Sequence, residues 1–121
     1  MTSTPRSVPL CRLDEIPDGA AKGFRLRDAA GREVRIFAVR RGGFAWAYVN
    51  RCPHRGTPLD WVPDQLLDEE GRRLVCATHG AIFQVEDGVC IAGPCVGDQL
   101  TPVPLALEDG VLHAPAEVDA D

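Results

Sequence analysis

Apolar and polar positions alternate along most of the chain, and the alternation marks out its elements. Between Glu33 and Arg40, Val34, Ile36 and Ala38 alternate with Arg35, Phe37 and Val39, the period of two that a β-strand presents. Phe24 to Arg27 precedes this run across Asp28-Ala29-Ala30-Gly31, so the two read as a hairpin. Gly42-Gly43 then turns the chain into Phe44 to Asn50, where Phe44, Trp46, Tyr48 and Asn50 share one side. Val8 to Leu13 predicts an earlier strand, and Pro17 limits Leu13 to Ile16 to one helical turn. Three more pairs of β-type runs flank turn residues. They are Gln65–Leu67 with Arg72–Cys76, Ile82–Val85 with Val89–Ile91, and Leu105–Leu107 with Val111–Ala114. The last two enclose Glu86-Asp87-Gly88 and Glu108-Asp109-Gly110, and Asp-Gly between such runs is the strongest short-range hairpin signal. No segment carries an apolar stripe over three helical turns. The expected fold is all-β, an antiparallel sandwich or barrel of about nine or ten short strands, with two loops interrupting its middle third.

Composition narrows this picture. A chain of 121 residues is sized for one domain, and its 12 glycines and 10 prolines favour many turns over long helices. Thirteen basic against 18 acidic residues leave a net charge of −5. That argues against nucleic acid as a partner, because phosphate binding rests on clustered Lys and Arg. The longest purely apolar run, Phe44 to Val49, is far short of the roughly 20 residues a membrane helix needs. The opening residues hold no apolar stretch of signal-peptide length, so the expectation is a cytoplasmic protein without membrane contact. There the 5 cysteines read as thiols, metal ligands or redox groups and not as a disulfide framework. Residues 1–7 are expected to form a loose arm, and 116–121, with Glu117, Asp119 and Asp121, a frayed acidic tail.

The chemistry concentrates in the two loops. Cys52-Pro53-His54-Arg55-Gly56 and Cys76-Ala77-Thr78-His79-Gly80 each supply one thiol and one imidazole. Ligands so closely spaced converge on one site only from a tight turn, and a glycine after each histidine lets the backbone pass close by. Three readings stand: buried cysteines with hydrogen-bonded histidines and no metal, a structural zinc held by Cys2His2, and a 2Fe–2S centre with mixed ligation. Zinc sites more often group their cysteines together and their histidines together, whereas each loop here mixes them.

The paired pattern C-x-H-x-G and C-x-x-H-G-x-x-F, here Cys52, His54, Gly56 and Cys76, His79, Gly80, Phe83, resembles the Rieske signature. In that ligation two histidines replace two cysteines on one of the two irons. Val89-Cys90-Ile91-Ala92-Gly93-Pro94 resembles the proline loop that covers such a cluster. The resemblance implies one 2Fe–2S cluster, with Cys52 and Cys76 on one iron and His54 and His79 on the other. Gly56, Gly80, Ala81, Phe83, Gly93 and Pro94 would surround it. It implies a Rieske domain whose β base is formed by about 8–50 and 95–114, with a cluster-binding subdomain inserted at about 51–94. Thr78 stands where cytochrome-bc Rieske proteins have a further cysteine, and the first loop has none before Trp61. A soluble ferredoxin, carrying single electrons between a flavin reductase and an oxygenase, is therefore the expected member, a carrier and not an enzyme. The alternatives are a non-covalent subunit of a larger oxidoreductase, oxygenase or nitrite-reductase-like, and a zinc-stabilised interaction module. Ala77 replaces the family's usual proline and Gln84 its frequent aspartate. High-potential members resemble one another in a Ser and a Tyr two and four positions after the second histidine, each donating a hydroxyl to a sulfur. Here those positions are Ala81 and Phe83.

Other residues carry two readings each. Cys90 and Cys95 are either two semi-buried thiols or a redox-active disulfide near the cluster. Cys11, Trp46 and Tyr48 are expected in the core, and His113 away from the site. Arg51, Arg55, Arg72 and Arg73 are either a solvated surface or a docking rim, and Asp64, Asp68, Glu69 and Glu70 form an acidic edge suited to a basic partner.

Overall fold

A computed structural model describes residues 7–51, 66–68, 72–76 and 80–118. Ten strands lie within them: β1 (Ser7–Arg12), β2 (Ala21–Arg27), β3 (Glu33–Arg41), β4 (Phe44–Val49), β5 (Arg73–Val75), β6 (Ile82–Gln84), β7 (Cys90–Ala92), β8 (Pro102–Val103), β9 (Ala106–Glu108) and β10 (Val111–Pro115). They form three antiparallel sheets with orders β1-β10-β9, β2-β3-β4-β8 and β5-β6-β7. A single 3-10 turn, Leu13–Glu15, follows β1, and Pro17 ends it as the backbone rule requires.

The four-stranded sheet is the centre of the molecule because both its faces are covered. On β3, Val34, Ile36 and Ala38 pack with Leu112 and Ala114 of β10, while Phe37 and Val39 pack with Leu74 and Phe83 of the small sheet. On β4, Ala47 and Val49 join the first layer and Trp46 and Tyr48 the second. The alternation that marks these strands in the sequence therefore sorts side chains between two cores, and not between core and water. Glu33 and Arg35 at the start of β3, and Phe44 at the start of β4 and 72% exposed, leave that pattern.

Most strand ends shift by a residue from the sequence reading, and two elements depart from it further. β2 begins at Ala21, three residues before Phe24, because Ala21 and Lys22 continue the ladder with Val39 and Ala38. β8 has no sequence signal, since a proline demotes a run as a strand. Pro102 is accommodated at the sheet edge, where its missing N–H costs no ladder bond. The expected hairpin before β5 is a narrow one, with Leu67 bridging Leu74 and the Val75 N–H donating to Leu66 O at 2.8 Å.

Candidate metal centre

The small sheet and its turns position the candidate site. Cys76 follows β5 directly, and its backbone closes a knuckle. Its N–H donates to Ala81 O at 2.8 Å, while the Gly80 N–H donates to Cys76 O at 2.9 Å. Gly80 takes φ +68, which a residue with a Cβ adopts only at a cost. Ala77, Thr78 and His79 span this stem and lie outside the described residues, as do Cys52, His54, Gly56, Arg55 and Trp61 of the first loop region. Of the four expected ligands the described residues thus contain Cys76 alone.

Cys76 is fully buried among Leu66, Leu74, Ala81 and Phe83. Its sulfur has no hydrogen-bond partner among the described residues. A buried sulfur on a hydrogen-bonded knuckle, three positions before His79 in the sequence, fits a thiolate ligand. Ala81, just before β6, and Phe83 within it are both fully buried, and neither carries a hydroxyl.

A second turn lies against the knuckle. Gly93 and Pro94 are both exposed on their outer side. A Cβ built on Gly93 would stand 2.7 Å from Ala81 Cα, so only glycine allows this close approach of backbone to backbone. Gly93 is therefore packed on the residue next to Gly80.

The site is tied to the central sheet by polar struts that the sequence does not announce. The buried Tyr48 hydroxyl of β4 donates to Val85 O, in the turn after β6, at 2.6 Å. Burial first, then the nearby Asp87 and Glu86 carboxylates, raise its phenol well above the ordinary range. Arg41, at the end of β3, pairs with Glu86 and donates from Nη2 to Arg72 O at 2.7 Å. Arg41, Asp68, Arg72, Arg73, Gln84 and Glu86 line an open basin of about 490 Å³ at the outer edge of the small sheet. Arg72 and Arg73, read from the sequence as either solvated surface or docking rim, are thus brought together there with Arg41, and Arg51 is exposed at the entry to the first loop. Cys11 is half-buried beside the base-side layer, and His113 sits on β10 opposite Pro9 and Ala106, in the other sheet.

A family model described as the Rieske [2Fe-2S] domain matches residues 6–106. The chain is similar to the ferredoxin of carbazole 1,9a-dioxygenase from Nocardioides aromaticivorans IC177, at 25% identity and TM-score 0.71, covering 95% of this chain and 100% of that one. It has the same fold as a chain in the complex of reduced oxygenase and oxidized ferredoxin in carbazole 1,9a-dioxygenase, at 18% identity, TM-score 0.70, and 98% and 100% coverage. Among curated proteins it is 36% identical over 89 residues to the oxygenase component of chloroacetanilide N-alkylformylase from Rhizorhabdus wittichii (strain DC-6 / KACC 16600). That match takes in 74% of this chain but only 22% of the relative's length.

Proposed function

This chain belongs to the Rieske 2Fe–2S domain family, and from that membership we propose that it is a ferredoxin-type carrier passing single electrons from a reductase to an oxygenase. When bound, the 2Fe–2S group stores one electron, and two thiolates with two neutral imidazoles leave it uncharged when oxidised and singly negative when reduced, an easier step than an all-cysteine set allows. Cys52 and Cys76 would hold one iron and His54 and His79 the other. The Cys76 knuckle supports the assignment, because two main-chain hydrogen bonds fix its backbone and its thiol is buried without a competing hydrogen-bond partner among the described residues. Leu66, Leu74 and Phe83 exclude water from its sulfur. The imidazole edges of His54 and His79 serve as the electron port. Residues 51–94 then form the cluster-binding part, and 8–50 with 95–114 the base. No substrate bond is made or broken on this chain, and the carrier works in the cytoplasm. Among the described residues no helix is long and apolar enough to cross a membrane.

The observation that carries this reading is the likeness to a ferredoxin over all of that ferredoxin's length. The identity to an oxygenase component favours a second reading, a Rieske part of a larger oxidoreductase. One experiment separates them. Dithionite-reduced protein is mixed anaerobically with an oxidised Rieske oxygenase, and cluster absorbance is followed at rising salt. A carrier is reoxidised in a transient, salt-sensitive encounter. Stable co-elution with a large subunit at high salt supports the second reading, and failure to bind iron and sulfide overturns both.

A further inference from the structure

Two buried sulfurs have no part in the electron-transfer reading. Cys90 opens β7 and Cys95 follows Pro94 in the next turn, and each is only 2% exposed. Their Sγ atoms lie 2.8 Å apart, the Cys95 thiol donating to Cys90 Sγ, while the Cys90 thiol donates to Ala92 O at 3.1 Å. The backbone brings them together. The Cys90 N–H donates to Asp98 O at 2.8 Å, the Gly97 N–H to Cys90 O at 3.3 Å and the Asp98 N–H to Cys95 O at 2.8 Å. These bonds close 90–98 into a ring with both thiols on its inside. A short further approach brings the sulfurs to the length of a covalent bond, about 2.05 Å. The outer side of the ring faces water, with Val96, Gly97 and Asp98 exposed, Val96 to 63%.

We propose that Cys90 and Cys95 are a reversible dithiol–disulfide pair that exchanges with small-molecule disulfides and staples the Gly93-Pro94 turn onto Ala81. One sulfur attacks the small disulfide, forming a mixed disulfide and releasing one small thiol. The other sulfur then displaces the second small thiol and forms the Sγ–Sγ bond. Two protein S–H bonds and one small-molecule S–S bond are lost. One protein S–S bond and two small-molecule S–H bonds replace them, so the pair gives up two electrons and two protons that the small disulfide gains. The staple follows from position: the bond closes the ring whose Gly93 already rests on Ala81. Nothing in this step uses the cluster, so the proposal stands or falls apart from the electron-carrier reading.

The test uses the full chain with its cluster, equilibrated anaerobically with oxidised and reduced glutathione, then quenched with iodoacetamide. Cleavage at Glu86 and Glu108 releases a peptide, 87–108, whose only cysteines are Cys90 and Cys95. Oxidised glutathione should leave it unalkylated and two hydrogens lighter, and excess reduced glutathione should return it doubly alkylated. Cys90→Ser and Cys95→Ser should each abolish the internal bond. Amide exchange across 93–97 should slow several-fold in the oxidised form. A peptide doubly alkylated at every ratio, stably glutathionylated, or joined to Cys76 overturns the pair. Unchanged exchange across 93–97 in the oxidised form overturns the staple.

Discussion

The two faces of the central sheet meet different chemistries. Toward β1, β9 and β10 the buried layer is aliphatic, built on Ile16, Ile36, Val49, Val103 and Leu112. Toward β5, β6 and β7 it holds Phe37, Tyr48 and Phe83 together with Cys76, Cys90 and Cys95, all the buried cysteines among the described residues. Each face is closed by the same tripeptide. Glu108-Asp109-Gly110 joins β9 to β10 as a two-residue turn with Asp109 at φ 53 and Gly110 at φ 79, left-handed at both positions as a tight hairpin requires. Glu86-Asp87-Gly88 turns inward instead. A Cβ on Gly88 would stand 2.7 Å from Tyr48 Cε1 and 3.2 Å from Leu100 Cβ. One core only has to exclude water, whereas the other must also hold sulfurs and a buried phenol in place, so its turn is part of the packing.

The largest contrast comes from one substitution on each face. Cys76→Ser should abolish the visible absorption and cut bound iron, because an iron short of a ligand takes water or is lost. Leu112→Ala should cost about 2–5 kcal/mol in denaturant unfolding, yet leave the spectrum of the folded protein unchanged. A full spectrum in the first variant would remove Cys76 from the ligand set.

The two turns come next. Gly88→Ala adds a clash with Tyr48 to the strain of a left-handed residue and should cost about 2–4 kcal/mol. Gly110→Ala bears only the strain, about 1–2 kcal/mol, since its nearest neighbour is the flexible Arg12 at 3.4 Å. Equal losses would show that the inward turn is not packed as described.

On the sulfur-bearing face, Ala81→Ser with Phe83→Tyr adds two hydroxyl donors of the kind high-potential relatives carry. Such bonds favour the reduced state by about 1–2 kcal/mol each, so the midpoint should rise by roughly 80–180 mV. No rise would separate the potential from these positions.

Tyr48→Phe leaves Val85 O without its buried donor and should cost about 1–3 kcal/mol. It should also change the response to alkali. Because burial and the neighbouring carboxylates raise the phenol's pKa in the folded state, its contribution is complete below the unfolded value of about 10 and declines above it, by up to about 1.4 kcal/mol per pH unit. The chain has 1 tyrosine, so tyrosinate absorbance reports this residue alone. Wild type should lose stability above that pH more steeply than Tyr48→Phe.

Local patterns carried most of the fold and the type of the site. The period-two runs of β3 and β4 and both Asp-Gly turns are written in adjacent residues, and the two Cys/His motifs announce themselves by spacing. What alternation could not tell is that both faces of β3 from Ile36 to Val39, and of β4 from Ala47 to Val49, are buried, because Phe37 and Val34 look alike to a pattern that does not know what covers each side. β8 was hidden by Pro102, which is tolerable only at an edge that tertiary pairing creates. The Tyr48–Val85 strut and the Arg41–Glu86 pair join residues 37 and 45 positions apart. No local signal marks such contacts, and neither is predictable without the fold.

The central claim is that this face builds a Rieske centre of low potential, and a potentiometric titration of the purified protein followed by EPR tests it most directly. With no hydroxyl at Ala81 or Phe83, the account predicts a one-electron transition near the low end of the Rieske range, about −150 mV. A midpoint well above zero, or no EPR-active 2Fe–2S signal on reduction, would contradict it.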